Sequence, residues 1–600
     1  MRIDKFRHLA AEVISRALEE LFAGSSSAEI SLDSNNIYRR LEPPKDPKMG
    51  NYAFPLFEAA KILGKNPNEI NRLLTEIENG IARGEKEYSC LNFQAVGGFN
   101  NVLIDGVALA QETISSILNA GNDYGSSSDG QRKNIVIDFS SPNIAKPFGV
   151  GHLRSTAIGG SLYRIFKKLG YTPVGINHLG DWGTQFGKMI VAYRRWGDDA
   201  ALRTNAVRYL YDLYVRFHRE EETDPGLSEE ARQAFKAMED GDSETLALWQ
   251  KFKDLSMAEF NKVYDMMGVH FDYQTGESFY NDKMEAVIER LKKAGLAQLS
   301  EGALVVDLSR YNLPACLLRK ADGATLYATR DITGILYRWE TFHFEKALYV
   351  VGSAQHDHFR QVFKVVELLE EAENQPLSER ISPRLFHVEF GWIKFQDEVM
   401  STRLGNIIFL EEVFAKAIAL AREKIQEKNP NLKDIDRVAR QIGIGAVIFA
   451  DLSTRKEKDV NFDWSKVLNF EGETGPYLQY THARLSSLLR HYGNAVKPDI
   501  DYRNLHHPEE GRVIEYLYRF PMVVEEAATI YDPNVIGAYL LGLASAFNKV
   551  YQRKDASGRI DKILSGDEAL TAARMALVFS VRTVINEGLS LLGIEAPEEM

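Results

Sequence analysis

Hydrophobic positions along this chain follow two periods, and the places where one gives way to the other divide the sequence. Phe6, Leu9, Val13, Leu18 and Leu21 recur at helical spacing and predict an opening helix. The first section runs to about Val107 and closes on VGGFNNVLID, a glycine-rich turn entering a short strand. Next comes GNDYGSSSDG, residues 121–130, a polar tract with the composition of a surface linker. From Asn134 onward the short β-branched runs NIVIDF, PVGINH, KALYVVG and LFHVEF are separated by stretches of helical period. That alternation predicts a parallel sheet wrapped by helices. Residues 194–272 are long, charged and helical, as an insertion into the sheet domain would be. Beyond about Phe462 strand signals fade, and amphipathic runs such as GRVIEYLYRFPMVVEEAATIY continue to the end. The expected domains are residues 1–118 (α+β), 131–461 (α/β with the helical insertion) and 462–600 (all-α).

Composition narrows the classes. A chain of 600 residues is too long for one hydrophobic core, and 44% hydrophobic with 26% charged residues is ordinary for folded protein. Cys90 and Cys316 are the only cysteines and lie far apart, which argues against a disulfide scaffold and a structural zinc site. They fit a reducing compartment. The N-terminus is amphipathic and carries acids, so it reads as neither signal nor transit peptide, and no apolar run is long enough to span a membrane. A soluble cytoplasmic protein is expected. The net charge of −12 has the wrong sign for nucleic-acid binding through global charge, so such a partner must meet local basic patches.

The densest chemistry follows the first strand of the sheet domain, in DFSSPNIAKPFGVGHLRS, residues 138–155. This is a strand, a proline-punctuated turn and a glycine-lined helix start, the place where parallel sheets bind ligands. Gly151 lets an adenosine approach the backbone, and His152 stands beside a helix N-terminus that favours phosphate. Read alone, the G-x-G-H fragment is better explained as a plain βα turn with a capping histidine. It is neither a P-loop nor a dinucleotide fingerprint, since Arg154 occupies the third glycine position. Tyr327 and Asp331, four residues apart, share one face of a helix. Read alone, they are a core aromatic and a helix-surface acid.

The whole run resembles the His-x-Gly-His segment of class I aminoacyl-tRNA synthetases, in the form used by the arginine enzymes. The resemblance continues through INHLGDWGTQFG (176–187), LYATRD (326–331), VGSAQHDHF (351–359), HVEFGWI (387–393) and MSTRLGN (400–406). EGETGPYLQYTHAR (471–484) and the terminal GIEAPEEM complete it in family order. It implies a Rossmann-like catalytic domain, an N-terminal additional domain and a C-terminal all-α anticodon-binding bundle. Arginine, ATP with Mg²⁺ and the arginine tRNA are the implied partners, with no structural metal; nothing suggests other than a monomer.

By the same resemblance, Asp138, Asn143, Tyr327, Asp331 and Gln355 hold arginine, and Gly149, Gly151, His152, His387, Met400 and Ser401 meet ATP. A guanidinium needs carboxylates in planar, bidentate geometry, which suits the acids in that set. The family commonly has Glu where Asp138 stands. Its first motif histidine is Gly149 here, and Val399 and Thr402 replace the two signature-loop lysines. Lys146 is expected to take over their role on the transferred phosphoryl group, with Arg403 the other cation of the loop. The implied reaction needs no protein nucleophile: arginine's carboxylate attacks the α-phosphate of ATP, and the terminal 2′-hydroxyl of tRNA then attacks the adenylate.

For tRNA, Phe99 and Asn101 match the additional domain's Gly-Phe-x-Asn segment. Tyr551 and its cationic neighbours are the C-terminal residues expected at the surface, among aromatics at helical spacing that are mostly core. A cysteinyl enzyme is excluded by its need for a cysteine-rich zinc site. The alternative of a different class is a non-catalytic paralogue that binds tRNA or senses arginine, supported only by Gly149, Val399 and Thr402.

Overall fold

The computed structural model describes residues 4–22, 33–321, 323, 325–395, 408–555 and 557–600. The chain divides into two compact units, one of residues 1–127, 488–523 and 542–584, the other of residues 128–487, 524–541 and 585–600. Among the described residues no helix is long and apolar enough to cross a membrane.

In the first unit the helix Lys5–Phe22 buries Phe6, Leu9, Val13 and Leu18, the stripe its periodicity marks. An antiparallel sheet in the order Tyr52–Pro55, Phe99–Ile104, Leu91–Val96 completes the α+β portion. Asp4 ties that portion to the C-terminal helices of the same unit. Its carboxylate accepts from Tyr52 Oη at 2.6 Å and from Tyr518 Oη at 2.7 Å.

The second unit is built on four parallel strands: β1 (Asn134–Asp138), β2 (Thr172–Ile176), β3 (Lys346–Gly352) and β4 (Leu385–Phe390). Their order is β4-β3-β1-β2. These are the four apolar runs of the sequence, nearly continuous because helices cover both faces. The central helices are α1 (Gly151–Lys168), α2 (Ser243–Met267), α3 (Tyr327–Phe342) and α4 (His356–Ala372). Strand order reverses between β1 and β3, so the carboxyl ends of these strands open the crevice where such sheets take ligands. The helices of the insertion, ending in α2, pack their own core around Leu210, Phe217 and Phe252.

An antiparallel sheet of Ala297–Ser300, Ala303–Val306 and Cys316–Arg319 was not apparent from the sequence. Its strands are only four residues long, and the first buries almost nothing. The one local sign is the Glu301-Gly302 turn, whose φ values of 51° and 82° suit a two-residue hairpin.

Arg154 anchors the crevice from behind. Its Nε lies 2.7 Å from Asp451 Oδ1, both side chains being buried, and its Nη1 donates to the carbonyls of Gly391 (3.0 Å) and Lys458 (2.7 Å). Burial pushes the Asp451 carboxyl up to about 6, against the pull of Arg154. Arg154→Ala is expected to destabilise the unit by about 3–5 kcal/mol in urea denaturation, because Asp451 is left buried and unpaired. Arg154→Met with Asp451→Leu is expected to recover most of that loss.

Candidate active site

The turn between β1 and α1 brings several motif residues to the crevice. Asp138 ends β1 and is buried, but the chain uses its carboxylate itself. Arg338 Nη2 of α3 lies 2.8 Å from Oδ2, and Ser141 Oγ donates to Oδ1 at 3.0 Å. Asn143 is exposed beyond it. A β-carbon on Gly180 would sit 2.1 Å from Asn143 Oδ1, so a larger residue there would displace the Asn143 side chain from its present position. Lys146 Nζ donates to Gln185 Oε1 at 3.2 Å and lies 5.2 Å from the Tyr214 ring centroid. Val150 N–H donates to the Ile408 carbonyl, and Leu410 N–H to that of Phe148, tying the start of α1 to the residues around 409. Gly149 lies in that pairing, while Gly151 faces open space at the helix N-terminus. His152 stacks on Phe148 at 5.1 Å, and burial lowers its pKa to about 4, so the imidazole is neutral at physiological pH.

A second group forms where α3 meets the turn Glu277–Tyr280. Tyr327 is 62% exposed. Asp331, one turn on, accepts from His358 Nε2 at 2.6 Å. Gln355 is exposed on the short turn Ser353–Gln355, just ahead of α4. Glu277 is 8% exposed, and among the described residues the nearest cation, Arg330 Nη1, stands 4.0 Å away. Burial raises its carboxyl, Arg330 pulls it down, and the like charges of Asp181 and Asp331 raise it again, to about 7. Asp181 is fully buried yet well held, by Lys253 Nζ at 2.7 Å and by Ser278 N and Oγ at 2.8 Å each. Glu277 belongs to none of the quoted motifs, and neither spacing nor periodicity marks it. What reveals it is a buried acid lacking a close cation beside Tyr327 and Asp331.

A third feature lies along edge strand β4. A cavity of about 380 Å³ is lined by His356, Phe359, Phe363, His387, Glu389 and Tyr531 among others. Lys146, His152 and Tyr327 do not line it. His387 donates from Nε2 to the Val351 carbonyl at 3.0 Å and stacks on Phe359, and burial lowers its pKa. One ligand-capable atom each of His356, His387 and Glu389 lie within 4.8 Å of one another. Two of them, His356 and Glu389, already pair at 3.0 Å, and His356 opens α4, where the helix dipole disfavours a cation.

Residues 113–464 match the class I (R) tRNA synthetase catalytic domain, 478–600 the DALR anticodon binding domain, and 8–103 the arginyl tRNA synthetase N terminal domain. The chain belongs to the arginyl-tRNA synthetase family. It is 45% identical over 583 residues to an arginine–tRNA ligase of Clostridium perfringens, covering 97% of this chain and all of that one. It is 44% identical to that of Clostridium botulinum, over 95% of this chain and 98% of the relative. The arginyl-tRNA synthetase of Thermus thermophilus superposes with a TM-score of 0.80 at 25% identity, covering 99% of this chain and 100% of its own. The Plasmodium falciparum enzyme shares the fold at 0.76 and 21% identity, with 98% of each chain covered.

Other residues expected of an arginyl-tRNA synthetase family member fall as follows. Phe99 is exposed and meets Phe57 edge-on at 5.4 Å. Asn101 is buried and donates to the Met49 carbonyl at 2.9 Å, so its amide is turned inward. Tyr551 is half-buried, and its neighbour Arg553 is held by Glu510 and Asp561 rather than displayed. Met400, Ser401 and Arg403 lie outside the described residues.

Proposed function

We propose that this arginine–tRNA ligase reads its amino acid with Glu277 and Asp331, flanked by Tyr327, and activates it at the turn that carries Asn143 and Lys146. The observation that carries this reading is the charge deficit at Glu277, a buried carboxyl whose nearest cation among the described residues is 4.0 Å away. A substrate guanidinium supplies that cation and offers two carboxylates a planar fork of donors. Asp138, engaged by Arg338 and Ser141, acts as a structural anchor for α3 and the turn rather than as a direct ligand. Gln355 and Asn143, both exposed at the crevice, are assigned the substrate's ammonium and carboxylate end.

ATP enters as its Mg²⁺ complex against Gly151 and the N-terminus of α1, with neutral His152 donating to a phosphate oxygen. Lys146 lies on the same turn and offers a fixed cation to the charge that develops on the α-phosphate. Arginine's carboxylate attacks that phosphorus in line, pyrophosphate leaves, and the terminal 2′-hydroxyl of tRNA then takes the arginyl group. Positioning and charge stabilisation supply the acceleration, without a protein nucleophile. We place the reaction in the cytoplasm, with a monomer as the working unit.

Arginine-dependent ATP–pyrophosphate exchange, run with and without total tRNA, tests the reading. Exchange with arginine that appears only when tRNA is added is the expected result. No exchange in either condition, from folded protein that binds tRNA, would favour a non-catalytic paralogue. For the pocket, Glu277→Gln is expected to lower kcat/KM for arginine by about 100-fold or more while KM for ATP stays within about twofold. In the wild type kcat/KM for arginine should fall as pH drops through about 7, because protonating Glu277 removes the charge that holds the guanidinium. The variant should lose that pH dependence.

A further inference from the structure

The turn from β1 to α1 is strained at three places. Ser140, Ser141 and Ala145 all take positive φ, at 70°, 49° and 58°, although none is glycine. Such conformations are unfavourable for residues that carry a β-carbon and persist only where the surroundings impose them. Here the surroundings are a set of hydroxyls and amides aimed at the turn.

Ser140 N–H donates to Ser155 Oγ of α1 at 2.9 Å, and Ser141 N–H donates to Asn177 Oδ1 at 3.2 Å. Ala145 N–H donates to Ser256 Oγ at 2.8 Å. Tyr264 Oη joins two of these points. It lies 2.9 Å from Ser140 Oγ and accepts from Asn177 Nδ2 at 3.0 Å. Ser256, Tyr264 and Asn177 are all buried, so water does not stand in for these bonds readily. Ser256 and Tyr264 are both on α2, eight residues apart and so on one face of the insertion's last helix. Tyr264 also meets Phe148 edge-on at 5.3 Å, fixing the far end of the same turn.

We infer that Ser256 and Tyr264 are positioning residues for the activation step. Their hydroxyls hold the turn of residues 140–145, with Ser140, Ser141 and Ala145 left-handed, in the conformation that presents Asn143 and Lys146 to the substrates. The insertion is thereby a strut for the active-site turn as well as a peripheral helical layer. The inference rests on the roles proposed for Asn143 and Lys146, but its test does not depend on which of the two matters more.

The test is exchange kinetics on full-length Tyr264→Phe, Ser256→Ala, Ala145→Gly and the Ser256→Ala/Ala145→Gly double variant, with saturating tRNA. Tyr264→Phe and Ser256→Ala should each lower kcat about tenfold, on the order of one lost buried hydrogen bond, with KM for ATP within about twofold. Glycine adopts a φ of 58° without strain, so the double variant should recover to within about threefold of wild type. A kcat at the wild-type level in folded Tyr264→Phe or Ser256→Ala overturns the inference, whatever their melting temperatures. So does a double variant no faster than Ser256→Ala. If Tyr264→Phe does not fold, the Ser256 and Ala145 pair decides alone. If Lys146→Ala keeps normal exchange while the glycine rescue holds, the clamp stands and the role proposed for Lys146 fails.

Discussion

Crowding of carboxylates at the carboxyl ends of a parallel sheet is the constraint on which the rest of this site depends. Asp138, Asp181, Glu277 and Asp331 gather around the β1–β3 switch point, three of them buried. Buried charge is tolerated only when it is paired or neutralised. Asp138 has Arg338 at 2.8 Å, Asp181 has Lys253 at 2.7 Å, and Asp331 has His358 at 2.6 Å. Among the described residues the cation nearest Glu277 is Arg330 at 4.0 Å, and burial holds its carboxyl up at about 7. The fold therefore pairs two buried acids with internal cations and leaves Glu277 short of one, beside a helix face that offers Tyr327 and Asp331. A guanidinium fits that deficit in charge and in shape.

The same logic explains what was legible in the sequence. The four strands stood out because strands covered on both faces become nearly continuous apolar runs. Tyr327 and Asp331 share a helix face as their spacing required. Asp138 was visible as a motif acid, but its partner Arg338 is 200 residues away, and no local pattern announces such a pairing. Glu277 shows the converse. It has no motif around it, and only the folded environment, with Asp181 and Asp331 close and Arg330 at 4.0 Å, gives it meaning. The antiparallel sheet of residues 297–319 escaped because four-residue strands carry too few alternations to read.

Strain and support meet in the β1–α1 turn. Its positive-φ serines and alanine are imposed by α1, by the segment after β2 and by α2 of the insertion. A region that reads as a charged helical interruption thus contributes buried hydroxyls at the one place where the backbone resists its conformation. Arg154, the neighbour of Ser155 on α1, fixes the carbonyls of Gly391 and Lys458 against Asp451. These supporting side chains make no proposed contact with substrate.

The most direct test is calorimetry of arginine binding at about pH 7, repeated in two buffers of different ionisation enthalpy to count protons exchanged. A carboxyl with a pKa of about 7 is half protonated there and must ionise to receive a guanidinium. Wild-type protein should therefore release about half a proton per arginine bound, and Glu277→Gln should release none. Proton release that is absent from the wild type, or unchanged in the variant, would contradict the assignment of Glu277 as the acid that meets the substrate's charge.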